Sequence, residues 1–296
     1  MADRFEEFGY KISKLSGKNK TITEDIVIST YQTYRSLDLI SLADKFDIII
    51  ADEIHKGSGR NCSYEKILST CLAPIRIGLT ATIPKDEEKR MLIKGLFGDM
   101  IAEFTVEEGQ KRGVLAIPKI KLIPIPQKKG FSRINSYRQA YQEEIVDNPL
   151  RNGIISQEIE KIIKNNDTVL VFCDKLDHIQ NISKILDKKN IIHKIVEGKI
   201  DGDDRIIIKD KLANRSLKCV ISSTVWTEGV TLPSLNYIIN AGAGKSQERL
   251  IQKMGRGMGI TEDKKTVVFI DFLDSGKWLG DHTVNRITSY VNIGWL

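Results

Sequence analysis

The sequence predicts an α/β protein made of two doubly wound parallel-sheet domains, and three observations carry that expectation. Short apolar, β-branched runs, among them DIIIADEIH (47–55), PIRIGLTAT (74–82), TVLVFC (168–173) and TVVFIDF (266–272), alternate with helix-patterned stretches along the chain. Such runs suit strands buried on both faces, with crossover helices between them. A segment holding three of the seven prolines, IPKIKLIPIP (117–126), interrupts the alternation. The length of 296 residues is enough for two ordinary domains.

Composition narrows the class further. With 41% hydrophobic and 28% charged residues, the chain reads as soluble and globular. It contains no apolar run of membrane-spanning length, and MADRFEEFGY at its start has no apolar signal core, so a cytoplasmic protein without membrane contact is expected. Cys62, Cys71, Cys173 and Cys219 are scattered with no C-x-x-C pair, which favours reduced thiols over a zinc site or disulfide framework. The formal net charge of +6 permits a polyanionic partner without demonstrating one.

Taken in order, residues 1–23 read as polar, with SKLSGKNKT a loop. EDIVISTYQ (24–32) holds a short strand ending in Ser29, Thr30, Tyr31 and Gln32. Small hydroxyl residues there either bond nucleic-acid phosphates or cap a following helix. Residues 36–45 look helical. The 47–55 strand follows, then a Gly-rich loop, a helix over 64–72, the 74–82 strand and a helix over 85–96 started by Pro84. The Pro-rich 117–126 stretch reads as an extended connector, since proline is excluded from central strands. This gives a first domain over 1–120, a connector over 121–148 and a second domain over 149–296. In the latter, helices are expected over 151–164, 176–189, 204–213, 247–254 and 282–290. Strands are expected over 168–173, 191–196, 217–222, 237–240 and 266–272.

The chemistry concentrates at strand ends, where open α/β sheets place their sites. Asp52 and Glu53 close an apolar strand. An aspartate there can hold Mg²⁺ of a bound nucleotide, and the glutamate can orient and deprotonate an attacking water. An isolated Asp-Glu pair is more often just an acidic strand end. Here a second strand ends in Thr80-Ala81-Thr82, 28 positions later and beyond a helix, and a right-handed βαβ unit brings two such ends to one cleft.

With these residues in hand, the chain resembles a superfamily 2 helicase or translocase with two RecA-like domains. Asp52-Glu53-Ile54-His55 matches the DEAD/DEAH box and Thr80-Ala81-Thr82 the third motif. Ser29-Thr30-Tyr31-Gln32 is similar to the DNA-contacting motif upstream, and Val171-Phe172-Cys173 to the fourth motif. Ser222-Ser223-Thr224 with Glu228-Gly229 and the residues to Pro233 is similar to the fifth. Gln252, Gly255 and Arg256 match the Q-x-x-G-R core of the sixth. The spacing of His282, Arg286, Tyr290 and Gly294 resembles the closing helix of phage-type branch-migrating DNA helicases of the UvsW class. The resemblance implies ATP and Mg²⁺ as cofactors, and DNA, forked, branched or single-stranded, as partner; for a phage protein the location would be the host cytoplasm. It implies that Asp52 serves the metal, Glu53 the water, and His55 the link to the second domain. Thr80 and Thr82 would couple motif to motif, and Glu228, Gly229, Gln252 and Arg256 would meet the nucleotide. Thr30, Gln32, residues 57–60, Ser223, Thr224 and Lys245 would meet nucleic acid. Trp226 reads either as a stacking wedge or as a packed core residue, the latter favoured because tryptophan is usually largely buried.

Three departures qualify the match. No G-K-[ST] precedes Asp52, so the Walker A loop and its strand are expected to lie outside this sequence, leaving the first domain truncated at its N-terminus. The second arginine of the sixth motif is replaced by Gly259, and such a group is worth ~10³-fold or more in rate. Thr231 stands where many relatives carry an acid. AGAGKS (241–246) looks like the end of a P-loop, but Ile239 occupies the position of its first glycine, and a loop near the cleft or DNA is the better reading. The leading expectation is an ATP-dependent helicase core. The alternatives are a non-catalytic nucleic-acid-binding remnant, or half of a split helicase whose Walker A region is a second chain. A kinase built on Lys245 and Ser246 leaves the other motifs unexplained.

Overall fold

A computed structural model of the chain describes residues 2–57, 63–81, 83–84, 86–126, 134–198, 202–223, 226, 232–261 and 264–296. Thr82, Thr224, Glu228, Gly229 and positions 58–60 lie outside the described residues. The chain divides into two compact units, Met1–Glu103 and Phe104–Leu296.

The first unit contains α1 (Ala2–Glu7), β1 (Ile12–Leu15), β2 (Ile26–Ser29), α2 (Tyr31–Arg35), β3 (Ile48–Ala51), a 3₁₀ turn (Ile54–Gly57), α3 (Ser63–Thr70), β4 (Ile75–Gly78) and α4 (Glu87–Phe97). Its described strands form two separate parallel pairs, β1 with β2 and β3 with β4. The polar stretch read as a loop thus hides β1. Ser13 and Leu15 are buried, and the Ser13 hydroxyl accepts from the backbone N–H of Thr23 and of Glu24 at 2.9 Å. The helix expected over 36–45 is replaced by successive turns. Asp38 Oδ1 accepts from Ile40 N at 3.2 Å, and the Ser41 hydroxyl donates to Asp38 O at 2.9 Å, local bonds that compete with helix. One face of the β3–β4 pair is covered. Ile54 and Phe97 press on Gly78, where an added Cβ would lie 2.8 Å from Ile54 Cδ1. Ile48, Ile50 and Ile75 are exposed, and Ile48 and Ile50 share a face because side chains alternate along a strand.

The second unit contains α5 (Val106–Lys111), β5 (Ile117–Pro124), α6 (Tyr137–Ala140) running into a π-helical turn (Tyr141–Val146), α7 (Pro149–Lys164), β6 (Val169–Phe172), α8 (Leu176–Lys188), β7 (Lys194–Val196), α9 (Gly202–Ala213), β8 (Cys219–Ser222), β9 (Tyr237–Asn240), α10 (Gln247–Gly255), β10 (Thr266–Leu273) and α11 (Leu279–Asn292). Its six described sheet strands are all parallel, in the order β5-β10-β9-β6-β8-β7. The Pro-rich segment is therefore a strand and not a connector. It pairs with β10 along its length, from Thr266↔Ile117 to Leu273↔Pro124. Its prolines are tolerated because β5 is the sheet edge, where a missing N–H costs no ladder bond.

β6 shows how this sheet is doubly wound. Leu170 and Phe172 enter one cluster with Trp226, Leu235, Leu250 and Met254. Val169 and Val171 enter the other, with Ile155 and Ile159 of α7 and Ile179 and Ile182 of α8. Trp226 is packed in the first cluster at 1% exposure, which removes it as a stacking wedge. α7 starts at the Asn148 cap, whose Oδ1 accepts from Leu150 N and Arg151 N, with Pro149 in its first turn, the favoured place for proline. Among the described residues, no helix is long and apolar enough to cross a membrane.

Candidate active site

In the first unit, the sheet pairing runs past the ends of β3 and β4. Leu79 N donates to Ala51 O at 2.8 Å, and Ile54 N donates to Leu79 O at 3.1 Å. Asp52 and Glu53 form a two-residue excursion between those bonds. Glu53 adopts φ = 54°, a left-handed conformation that costs a non-glycine residue ~1–3 kcal/mol and gathers at functional sites. Its N–H donates to Asp52 Oδ1 at 2.9 Å, and the Tyr64 hydroxyl donates to Asp52 O at 2.7 Å. The Asp52 side chain is exposed. Among the described residues the buried oxygen Glu53 Oε2 makes no hydrogen bond; His55 Nδ1 lies 3.4 Å from it. The same His55 nitrogen meets Thr80 Oγ1 at 2.7 Å. Asp52, Glu53, His55 and Thr80, predicted from motifs, are thus brought together by strand register.

Thr30 behaves differently. Its hydroxyl caps α2, accepting from Thr33 N at 3.2 Å, while Gln32 is exposed on that helix.

In the second unit, α10 carries Gln252 and Arg256. It begins at Ser246, whose hydroxyl accepts from Arg249 N at 3.3 Å. Arg256 Nε donates to Gln252 O at 3.3 Å, and Arg256 O accepts from Leu232 N at 3.1 Å. Lys245 is exposed beside the cap, and Ser223 is half-buried at the end of β8.

Sequence reasoning missed the polar network that fixes α10. The buried Lys253 donates to Asn240 Oδ1 at 2.8 Å and to Asp174 Oδ1 at 3.3 Å. Asp174 also accepts from the Tyr141 hydroxyl at 2.9 Å. Burial acts to raise the Asp174 pKa, but Lys253 and the Tyr141 bond outweigh it and leave the group below its ordinary value. Gly242 passes so close that a Cβ would fall 2.2 Å from Asp174 Oδ2. Asn240 Nδ2 donates to Asp271 Oδ1 at 3.2 Å, and Asp271 Oδ2 accepts from Arg286 Nε at 2.8 Å and from Tyr290 Oη at 2.6 Å. His282 Nδ1 lies 3.0 Å from Ala243 O. The four-residue spacing of His282, Arg286 and Tyr290 is therefore one face of α11 reading the strand ends, and Gly294, at φ = 76°, closes that helix. The signal was present: Asp271 interrupts an apolar strand and Lys253 adjoins Met254 on an otherwise apolar face.

Two family models match this chain. Residues 1–85 match the type III restriction enzyme res subunit, and residues 154–259 match the helicase conserved C-terminal domain. The chain belongs to the superfamily 2 helicases. This helicase chain is 26% identical, over 97% of its length, to the type I restriction enzyme EcoAI endonuclease subunit of Escherichia coli. It is 24% identical, over 100% of its length, to the ATP-dependent DNA helicase uvsW of Enterobacteria phage T4. It spans 40% and 61% of the lengths of those two relatives. Its fold resembles that of the DUF1998 helicase MrfA, solved bound to DNA and AMPPNP, with a TM-score of 0.70 and 15% identity over 98% of this chain and 41% of that one.

Proposed function

We propose that this chain is the motor core of an ATP-dependent DNA helicase or translocase, with hydrolysis centred on Asp52 and Glu53. The observation that carries the reading is the strained Glu53, one of whose carboxylate oxygens is buried at the end of β3 with no hydrogen-bond donor among the described residues. A water held for attack would supply that donor. The donor set suits a nucleotide-borne Mg²⁺, which keeps most of its water shell and needs only one or two carboxylates. Asp52 Oδ1 is engaged by Glu53 N, leaving the rest of the exposed carboxylate for that shell. Bound Mg²⁺ would neutralise charge developing on the phosphates. Glu53 would orient the water and take its proton. His55 and Thr80, joined at 2.7 Å, would pass the state of this site to the sheet beneath. Arg256, and the glutamine a turn before it, would supply donors to the γ-phosphate, the only arginine of the sixth motif now that Gly259 holds the other position. Ser223, Lys245, Gln32 and Thr30 are the described groups proposed to meet the DNA backbone; contacts of that kind are electrostatic and weaken as salt rises.

Hydrolysis of ATP by the purified chain, with and without forked DNA and beside Glu53→Gln, tests this. DNA-stimulated turnover that falls roughly 10²–10⁴-fold in the variant is expected. Turnover equal in both proteins would remove Glu53 from the mechanism.

One observation favours a second reading, that a separate chain completes the first unit. Among the described strands β3 and β4 pair only with each other, their Ile48, Ile50 and Ile75 are exposed, and open strand edges are templates for pairing with another chain. Restoration of hydrolysis by an added strand-and-P-loop polypeptide, where the chain alone has none, would select that arrangement over a non-catalytic nucleic-acid-binding remnant.

A further inference from the structure

Lys264 is 3% exposed, and among the described residues no carboxylate pairs with it. Its ammonium instead donates to three backbone carbonyls: Pro233 O at 2.8 Å, Gly259 O at 2.9 Å, and Gly257 O. The three donors of the ammonium are thus matched by three acceptors. Burial alone pushes this lysine down to about 8, so holding a charge here carries a cost that an apolar side chain would avoid. An apolar side chain would, however, leave three buried carbonyls unpaired.

The three carbonyls come from two segments. Pro233 belongs to the stretch that matches the fifth helicase motif. Gly257 and Gly259 form the turn after α10, directly beyond Arg256. A further bond, Leu232 N to Arg256 O at 3.1 Å, joins the same two segments. The turn is also held by Ala116 N donating to Met258 O at 2.8 Å. Gly259 faces Pro233 so closely that a Cβ would sit 3.1 Å from Pro233 Cα, and the Lys264 ammonium bonds the carbonyls of both.

We infer that Lys264 is a positioning residue, whose ammonium clamps the Leu232–Pro233 segment onto the turn after α10 and so sets the backbone and guanidinium of Arg256. This rests on the proposed role of Arg256 at the γ-phosphate. The position of the family's second arginine is given over to the clamp: residue 259 supplies a carbonyl to Lys264, and its Cα lies against a proline.

The test uses the full chain and needs no hydrolysis, so a failure of the ATP reading does not touch it. Arg256 Nε–H is followed by ¹⁵N NMR, assigned by its loss in Arg256→Lys, and the Leu232 amide is followed by hydrogen exchange. Lys264→Gln and Lys264→Met are compared with the wild-type protein and with Lys111→Met, an exposed control. The expected result is a Leu232 amide that exchanges roughly tenfold faster or more, the equivalent of one lost buried hydrogen bond, and a shifted Arg256 Nε–H resonance. The amides of β6 keep their wild-type rates, and Lys264→Gln, which retains donors, falls between Lys264→Met and the wild type. Unchanged Leu232 and Arg256 signals in a folded variant would overturn the inference. So would a uniform acceleration across the second unit, or failure of both variants to fold, since each would make Lys264 a general core residue.

Discussion

β3 and β6 are four-residue parallel strands that are both wholly apolar, Ile-Ile-Ile-Ala and Val-Leu-Val-Phe. Their fates differ. Every residue of β6 is buried, between helices on one face and a Trp-containing cluster on the other. In β3 only Ala51 is buried, and Ile50 is 59% exposed. The strand's own sequence therefore specifies that it can be doubly buried, while its neighbours decide whether it is. β6 has β8 and β9 on its flanks and α7 and α8 over one face. β3 has β4 alone among the described strands.

The sharpest way to break this comparison is to truncate one residue in each strand. Phe172→Ala empties a sealed site and is expected to cost about 3–5 kcal/mol. Ile50→Ala removes a side chain already in water and is expected to cost less than ~1 kcal/mol. Urea unfolding of the two variants, followed by a probe in each unit, measures both. An Ile50→Ala loss as large as that of Phe172→Ala would mean that β3 is covered in solution by something the isolated fold does not provide. A small loss of stability together with loss of a bound partner chain would identify that cover.

The same contrast explains what the sequence disclosed. The α/β class, and nearly every element of the second unit, follow from periodicity because each strand and helix there buries the face its pattern marks. The cluster proposed for hydrolysis was legible because Asp52, Glu53, His55 and Thr80 are held by strand register, which motif spacing encodes. What escaped are cases where side chains override pattern. β1 hides in a polar stretch because its buried Ser13 accepts backbone bonds from Thr23 and Glu24 in the segment leading to β2. Residues 36–45 turn instead of coiling because Asp38 captures nearby N–H groups. β5 escaped because prolines that exclude a central strand are acceptable at an edge. The network from Tyr141 through Asp174, Lys253 and Asn240 to Asp271 joins residues more than 100 positions apart, and no local pattern announces such a set.

His178 offers a pH test confined to the second unit. It is buried, and Asn152, whose Nδ2 donates to Val146 O at 2.9 Å, presents Oδ1 to its Nε2 at 2.9 Å. That contact requires a proton on Nε2 and leaves Nδ1 without a partner among the described residues, the neutral ring. Burial first, and the Arg151 charge second, lower its pKa to about 3, against a smaller opposing pull from Asp174. The unfolded chain takes up a proton below pH ~6.5, and the folded chain does not until about pH 3. Stability is therefore lost as pH falls through that window, by about 2 kcal/mol between pH 7 and pH 5. Urea midpoints of the second unit at these pH values, compared with His178→Asn, check the sign and the size. An equal pH dependence in His178→Asn would assign the loss to other groups.

The smallest expected effect separates two roles of one hydroxyl in the first unit. Thr30 caps α2, so Thr30→Ala is expected to cost about 0.5–1 kcal/mol of first-unit stability, and Thr30→Ser much less because serine caps as well. Gln32, exposed on the same helix, has no capping duty, and Gln32→Ala is expected to leave stability within ~0.5 kcal/mol. DNA affinity at fixed salt is the second axis. If the first unit grips a phosphate here, Gln32→Ala weakens binding while the fold is unmoved, and Thr30→Ala weakens binding by more than its lost cap explains. If both variants bind DNA as the wild type does, Thr30 is a cap alone.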